Sequence, residues 1–407
     1  MNATPTGPLA GVRILDLTSV VLGPLATQIL GDFGADIIKV ESLDGDMVRP
    51  NGVSQNRGTG SIFLTINRNK RSIAIDLKNE KSLDVLRKLV SSVDVFVHNM
   101  RVAAIEGLGL GYEAIKAIKP DIIYCVATGF GQNGPHRSKP AFDDIIQSAC
   151  GMVGLCEDNG KEVDYAPSLI ADKTAGMVLV NAVLAALFSH QKTGRGQYVE
   201  VPMLETMVAF TMAEHFGGMA FKGSQEKPGY QRILKGGRQP IRTQDGFISM
   251  MPYSDKNWTS LFNALGRKDL IQRFSTADKY ERNANIKLMY AEVRQIGPEF
   301  TTAYWMDLCE KFDIPATPIY KIESLPEHPH LKEVNLFQEM KHPDEGDIRY
   351  IRPTTIFSDT PANVYRPAPG LGEHTHEILA ELGIKETDIN DLLAHGVIRT
   401  KPPSRRG

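Results

Sequence analysis

The chain has 407 residues, of which 42% are hydrophobic and 23% charged. That is an ordinary globular composition, and the length predicts two or three domains. A formal net charge of -2 argues against a protein built mainly to coat nucleic acid or an anionic membrane, while leaving room for a local basic site that takes a phosphorylated ligand.

Met1 to Leu9 has no basic n-region and no apolar h-region, so no secretory leader is expected. Val12 to Leu17 is a short β-rich run. Gly23-Pro24 opens a helical stretch, LATQILGDF, with proline where a helix start tolerates it. Gly34 ends that helix, and Asp36 to Val40 makes a second strand, completing a βαβ unit. The alternation continues: strand Ser72 to Leu77, helix EKSLDVLRKLV, strand Val93 to His98, helix YEAIKAI and strand DIIYCVA. Strands alternating with helices predict an α/β fold with a largely parallel, doubly wound, Rossmann-like sheet.

Around Phe142 the pattern turns helical. One helix covers about Asp143 to Met152, and a long one follows Asp172 through KTAGMVLVNAVLAALFSHQ. Its apolar stretch, Gly176 to Phe188, is short of the ~20 residues a membrane span needs and contains Asn181, so it reads as a buried core helix. Gly194 and Gly196 end it, and Tyr198 to Val201 reads as a strand. A Gly- and charge-rich segment, Gly223 to Gly237, marks a domain crossing. Asp245-Gly246 predicts a turn before FISMM. Asn257 to Phe312 is mostly helical, and a β-like, loop-rich tail follows Pro326 before a final helix at His374 to Leu382. The four cysteines, Cys125, Cys150, Cys156 and Cys309, form no C-x-x-C pair and no zinc spacing. Buried free thiols, no metal and a reducing cytoplasmic compartment are expected.

The first βαβ unit invites a dinucleotide reading, with Glu41 near the end of its second strand. Its turn, SVVLGPLATQ, lacks the G-x-G-x-x-G that lets a pyrophosphate approach the backbone. Walker A, G-x-S-x-G and H-E-x-x-H motifs are also absent. Asp172, in SLIADKTAG, is more informative. It reads as an N-cap aspartate, and equally as a carboxylate whose anion is favoured by the helix N-terminus and so is able to attack a thioester carbonyl.

Over nearly its whole length the chain resembles class III CoA-transferases of the formyl-CoA transferase and CaiB–BaiF type. The stretches that carry the resemblance include LAGVRILDLTSVVLGPLATQILGDFGADIIKVE, GDMVR, NRNKRSIAIDLK and FVHNMR. Others are GFGQNGP, FDDIIQSACG, ADKTAGM, KTGRGQYVEVPMLE and LGEHTHEIL. The resemblance implies that Asp172 is the nucleophile. Its carboxylate would attack an acyl-CoA to give a mixed anhydride, CoA thiolate would return to give an aspartyl-CoA thioester, and an acceptor carboxylate would then take the CoA. No metal or redox cofactor is implied, CoA being substrate.

The family's glycine-rich loop for the oxyanion corresponds to Gly236-Gly237, which also read as an interdomain hinge. Implied CoA contacts are Asn99, Arg101 and Arg71. Arg137 and Lys139 are further candidates that also read as surface charges, and Arg71 also reads as a structural ion pair. Ser42 stands where the family often has a CoA-binding arginine. Val21 stands where oxalate-using members carry glutamine, which suits a bulkier or less polar acyl group.

Members of the same fold racemise 2-methylacyl-CoA with a histidine in a GHD motif. Here that motif reads Ala141-Phe142-Asp143, and phenylalanine carries no proton. Transfer is therefore expected over racemisation, and over CoA binding without catalysis because Asp172 is present. The resemblance further implies a large Rossmann-like domain from 1–224 and 326–407, a smaller α+β domain over 225–325, and an interlocked homodimer. Acyl-CoA and a free carboxylic acid are the expected partners, with no nucleic acid and no membrane.

Overall fold

The computed structural model describes residues 6–55, 59–274 and 279–401. Residues 1–5 of the stretch read for a leader and 275–278 of the expected helical run lie outside them. The chain divides into two compact units. The larger comprises Met1–Val153, Asp164–Thr211 and Glu333–Gly407, and the smaller Gly154–Val163 and Met212–Lys332. The divisions thus fall after Thr211 and Lys332 rather than at 224 and 325, and a short excursion at 154–163 also joins the smaller unit.

In the larger unit six strands run parallel: β1 (Arg13–Leu17), β2 (Asp36–Glu41), β3 (Lys70–Ile75), β4 (Val95–His98), β5 (Ile123–Thr128) and β6 (Gln197–Pro202). The smaller unit has β7 (Ile241–Arg242), β8 (Phe247–Met250) and β9 (Ala316–Pro318) in one antiparallel sheet. There helices pack around Trp258, Phe262 and Trp305. The hairpin β10 (Phe337–His342) and β11 (Gly346–Ile351) follows in the larger unit. Finally β12 (Ile398–Arg399) adds an antiparallel edge beside β3.

The large sheet has the order β12-β3-β2-β1-β4-β5-β6. Successive residues of each strand face opposite sides, and both sides are covered, which is why apolar residues point both ways from these strands. Ile14, Ile37, Val95 and Ile123 pack with Leu22, Ala26 and Leu30 of the first helix, Leu22–Asp32, and with Ala175, Leu179 and Val183 of the long helix, Ile170–Thr193. Leu15, Ile38, Ile73, Phe96 and Tyr124 pack on the other side, with Val85, Leu89, Ile378 and Leu392. The doubly wound parallel sheet expected from the alternation is therefore present. Strand order reverses between β1 and β4, and in such sheets ligands bind in the crevice beyond the carboxyl ends of the strands at that point.

The long helix is a correction to the sequence reading. It spans 24 residues and is by length and composition alone sufficient to cross a membrane. One of its faces is buried in the core, while Met177, Val178 and Phe188 are exposed. Gly194, in the left-handed conformation, ends it as expected. Gly176 lets it lie against the first helix, because a Cβ there would sit 2.8 Å from the Leu22 carbonyl oxygen.

Candidate active site

A cavity of about 230 Å³ opens at the reversal point of the sheet. Its wall is made by the loop after β1 (Ser19, Val20, Val21), the loop after β4 (Asn99, Met100, Arg101), the end of β5 (Thr128) and the chain after it (Gly129, Arg137, Lys139, Phe142), with Asp172 and Met203. All of these residues belong to the larger unit.

Asp172 stands two residues into the helix Ile170–Thr193, whose N-cap is Leu169. It is therefore a first-turn residue and not the N-cap, and its side chain makes no capping bond. Its own backbone N–H is taken by Asp143, whose Oδ2 accepts it at 2.9 Å. Asp143 is 4% exposed at the start of the helix Asp143–Ala149, and its Oδ1 accepts from Gln147 Nε2 at 2.5 Å. The helix start was expected to favour the Asp172 anion. Burial wins instead, and the neighbouring Asp143 charge adds to it, lifting Asp172 from 3.8 to about 6. At neutral pH the group is still mostly ionised, and it is a more basic carboxylate than an ordinary aspartate.

Three cations gather at the same wall. Arg101, Arg137 and Lys139 are exposed, and among the described residues no ion pair holds them. Such a set suits the phosphates of a long anionic ligand. Asn99 also lines the cavity, but its amide is occupied. Its Oδ1 accepts from Ser19 N at 2.9 Å and its Nδ2 donates to Ser19 O at 2.8 Å. Val21 is buried in the wall, and Phe142 is 63% exposed in it.

Two expectations fall elsewhere. The Arg71 guanidinium is buried and pairs with Asp36 at 2.6 Å, Glu381 at 2.7 Å and Glu377 at 3.0 Å. It ties β3 to β2 and to the helix Thr375–Glu381, so the ion-pair reading is the correct one and Arg71 does not line the cavity. Gly236 and Gly237 lie in the smaller unit and outside this cavity's wall. Local packing accounts for both: a Cβ on Gly236 would sit 2.0 Å from the Arg232 carbonyl oxygen, and Gly237 has φ +67°.

Asp143 is the site residue that pattern reading missed. In FDDIIQ two acidic residues at a helix start look like charges complementing the helix dipole, and nothing in a spacing of 29 residues brings one of them against Asp172. The local signs that Asp143 faces inward are its place in the stretch matched to the GHD motif and a glutamine one turn later, Gln147, which the structure buries.

Comparison with known proteins agrees with this geometry. Residues 9–375 match the family model described as CoA-transferase family III. The chain is similar to human succinyl-CoA:glutarate CoA-transferase, 32% identical over 96% of this chain and 90% of that protein. It is also similar to the succinyl-CoA--L-malate CoA-transferase beta subunit of Chloroflexus aurantiacus, 31% identical over 98% of this chain and 100% of that one. Among solved structures, a CaiB/BaiF family protein from Brucella suis superposes with a TM-score of 0.80 at 28% identity, covering 93% of this chain and 100% of its own. A half-buried aspartate at the switch point of a doubly wound sheet, and a match over almost the entire length, lead to one conclusion: the chain belongs to CoA-transferase family III and is an enzyme of that class.

Proposed function

We propose that this enzyme moves CoA from an acyl-CoA donor to a free carboxylic acid through covalent intermediates on Asp172. The observation that carries this reading is the placement of a half-buried, raised-pKa carboxylate in the switch-point cavity beside three exposed cations. An Asp172 oxygen attacks the thioester carbonyl and CoA thiolate leaves, giving a mixed anhydride. The thiolate attacks the Asp172 carboxyl carbon and expels the donor acid, giving an aspartyl-CoA thioester. The acceptor carboxylate attacks that carbon, the thiolate leaves again, and its attack on the acceptor's acyl carbon releases the new acyl-CoA and free Asp172. Arg101, Arg137 and Lys139 bind the phosphates of CoA. The CoA is substrate, and the chemistry uses no further cofactor.

The donor class follows from the relatives and the wall. Two similar proteins are named for succinyl-CoA paired with glutarate or L-malate. Succinyl-CoA or a related dicarboxyl-CoA is accordingly the proposed donor, with a dicarboxylate acceptor larger than oxalate, since Val21 offers an apolar wall. Racemisation at the α-carbon needs a second proton carrier, and Phe142 has none.

The test is a panel of acyl-CoAs and free acids incubated with the enzyme in D2O and read by mass spectrometry. New acyl-CoA products should form without α-deuterium in a 2-methylacyl-CoA. Enzyme-dependent α-exchange without CoA transfer would contradict the reading.

We further infer that the functional form is a homodimer, of the interlocked kind its resemblance implies. Exposed apolar side chains support it: Met177, Val178 and Phe188 on the long helix, and Val208 and Phe210 on the helix Met203–His215. Such surface in one chain marks a partner surface.

A further inference from the structure

Val20 lines the cavity with φ +70°. A β-branched residue in the left-handed region is an outlier, because its Cβ crowds the following carbonyl. Such strain persists only where the surroundings over-determine it. Here they do, through groups distant in sequence. Val20 N donates to Asp46 Oδ1 at 3.2 Å, and the same oxygen accepts from Val48 N at 3.2 Å. Asp46 Oδ2 pairs with Lys39 Nζ at 3.0 Å, and Lys39 Nζ also donates to Thr18 O at 2.9 Å. Asn99 holds both the N–H and the carbonyl of Ser19. The Asp46 and Lys39 side chains are 1% and 0% exposed. Each backbone unit from Thr18 to Val20 is therefore tied to a side chain distant in sequence, and Gly23 is needed for the turn, since a Cβ there would sit 2.3 Å from Thr18 Cβ.

We propose that Asp46 is a positioning residue, whose carboxylate, oriented by Lys39, holds Val20 in its left-handed conformation and so fixes the loop after β1 against the substrate cavity. This gives the GDMVR segment a role in the site without contact to substrate. Asn99 belongs to the same clamp, acting on Ser19. The inference rests on the reading of Asp172 as the transfer nucleophile, and it adds residues that the reaction scheme does not use.

The experiment is a double-mutant cycle on CoA transfer with Asp46→Ala and Val20→Gly. Glycine adopts φ +70° without strain, so it relieves the need for the clamp. Asp46→Ala should lower kcat about tenfold or more, with KM for the acyl-CoA changed less than about threefold. Adding Val20→Gly should restore kcat by about threefold or more. Effects that simply multiply would overturn the proposal, as would Asp46→Ala with unchanged kcat.

A second arm needs neither activity nor a folded Asp46→Ala protein. Val20→Gly and Val20→Ala both lose the valine side chain, and only alanine keeps the left-handed penalty. Val20→Gly should melt at a higher temperature than Val20→Ala, and the reverse order would overturn the proposal. Asp172→Ala run alongside separates the two failures. Transfer retained in Asp172→Ala defeats the nucleophile reading, whereas transfer lost in Asp172→Ala with no coupling between positions 20 and 46 defeats the clamp alone.

Discussion

Burial and the Asp143 carboxylate lift Asp172 from 3.8 to about 6, and the consequence for stability has a definite sign. The folded state keeps the proton longer than the unfolded chain, so stability falls as pH rises from about 4 to 6, and the penalty is fully present above that. Asp172→Asn removes the charge and keeps the shape. At pH 7.5 it should stabilise the fold by roughly 1–2 kcal/mol, the full shift being discounted for partial solvent screening, while abolishing transfer. A melting temperature below wild type would contradict this. In the wild type, kcat/KM should rise with pH through about 6, as the nucleophile ionises. A profile flat from pH 5 to 8 would show that a different group attacks. The placement of Asp172 at a helix start was legible because its motif is local. Its partner Asp143 was not, because the pairing of two carboxylates is made by tertiary structure alone. Arg71 misled for the converse reason: a cation in a recurring motif looks like a phosphate ligand until its carboxylate partners, 35 to 310 residues away, are seen around it.

Two packed helices place Asp172, and the contact between them is set by Gly176 near the start of the long one. Alanine is worth about 1 kcal/mol more than glycine inside a helix, so propensity favours Gly176→Ala. Its Cβ, however, would press on the Leu22 backbone carbonyl at 2.8 Å. The helix must then move away from the loop after β1. Gly176→Ala should therefore gain no stability and lose about tenfold or more in kcat/KM. A variant both more stable and fully active would show that the helix contact does not set the site.

At this scale the parallel strands were readable from alternating apolar runs and turn residues. The register of β3 was not. Lys70 and Arg71 are charged yet buried, so the strand begins two residues before the expected start at Ser72. The helix Glu386–Ala394 and β12 were missed in the tail, since a two-residue strand is defined by its partner β3 and leaves no period of its own.

For the molecule as a whole, the exposed apolar faces of the long helix and of Met203–His215 predict an obligate dimer, in which association and folding are one equilibrium. Analytical centrifugation at nanomolar concentration should find no folded, active monomer, and finding one would refute the dimer. The central claim, a covalent passage of CoA through Asp172, has a more direct test. The enzyme is incubated with donor acyl-CoA, quenched with hydroxylamine and digested, and the peptides are mapped by mass spectrometry. Hydroxylamine attacking the activated Asp172 carboxyl carbon expels CoA thiol or the donor acid and leaves a hydroxamate on that residue. The account predicts this product at Asp172, dependent on donor and absent from Asp172→Asn. Transfer with no adduct at Asp172, or an S-acyl group confined to a cysteine such as Cys150 when the quench omits hydroxylamine, would contradict it.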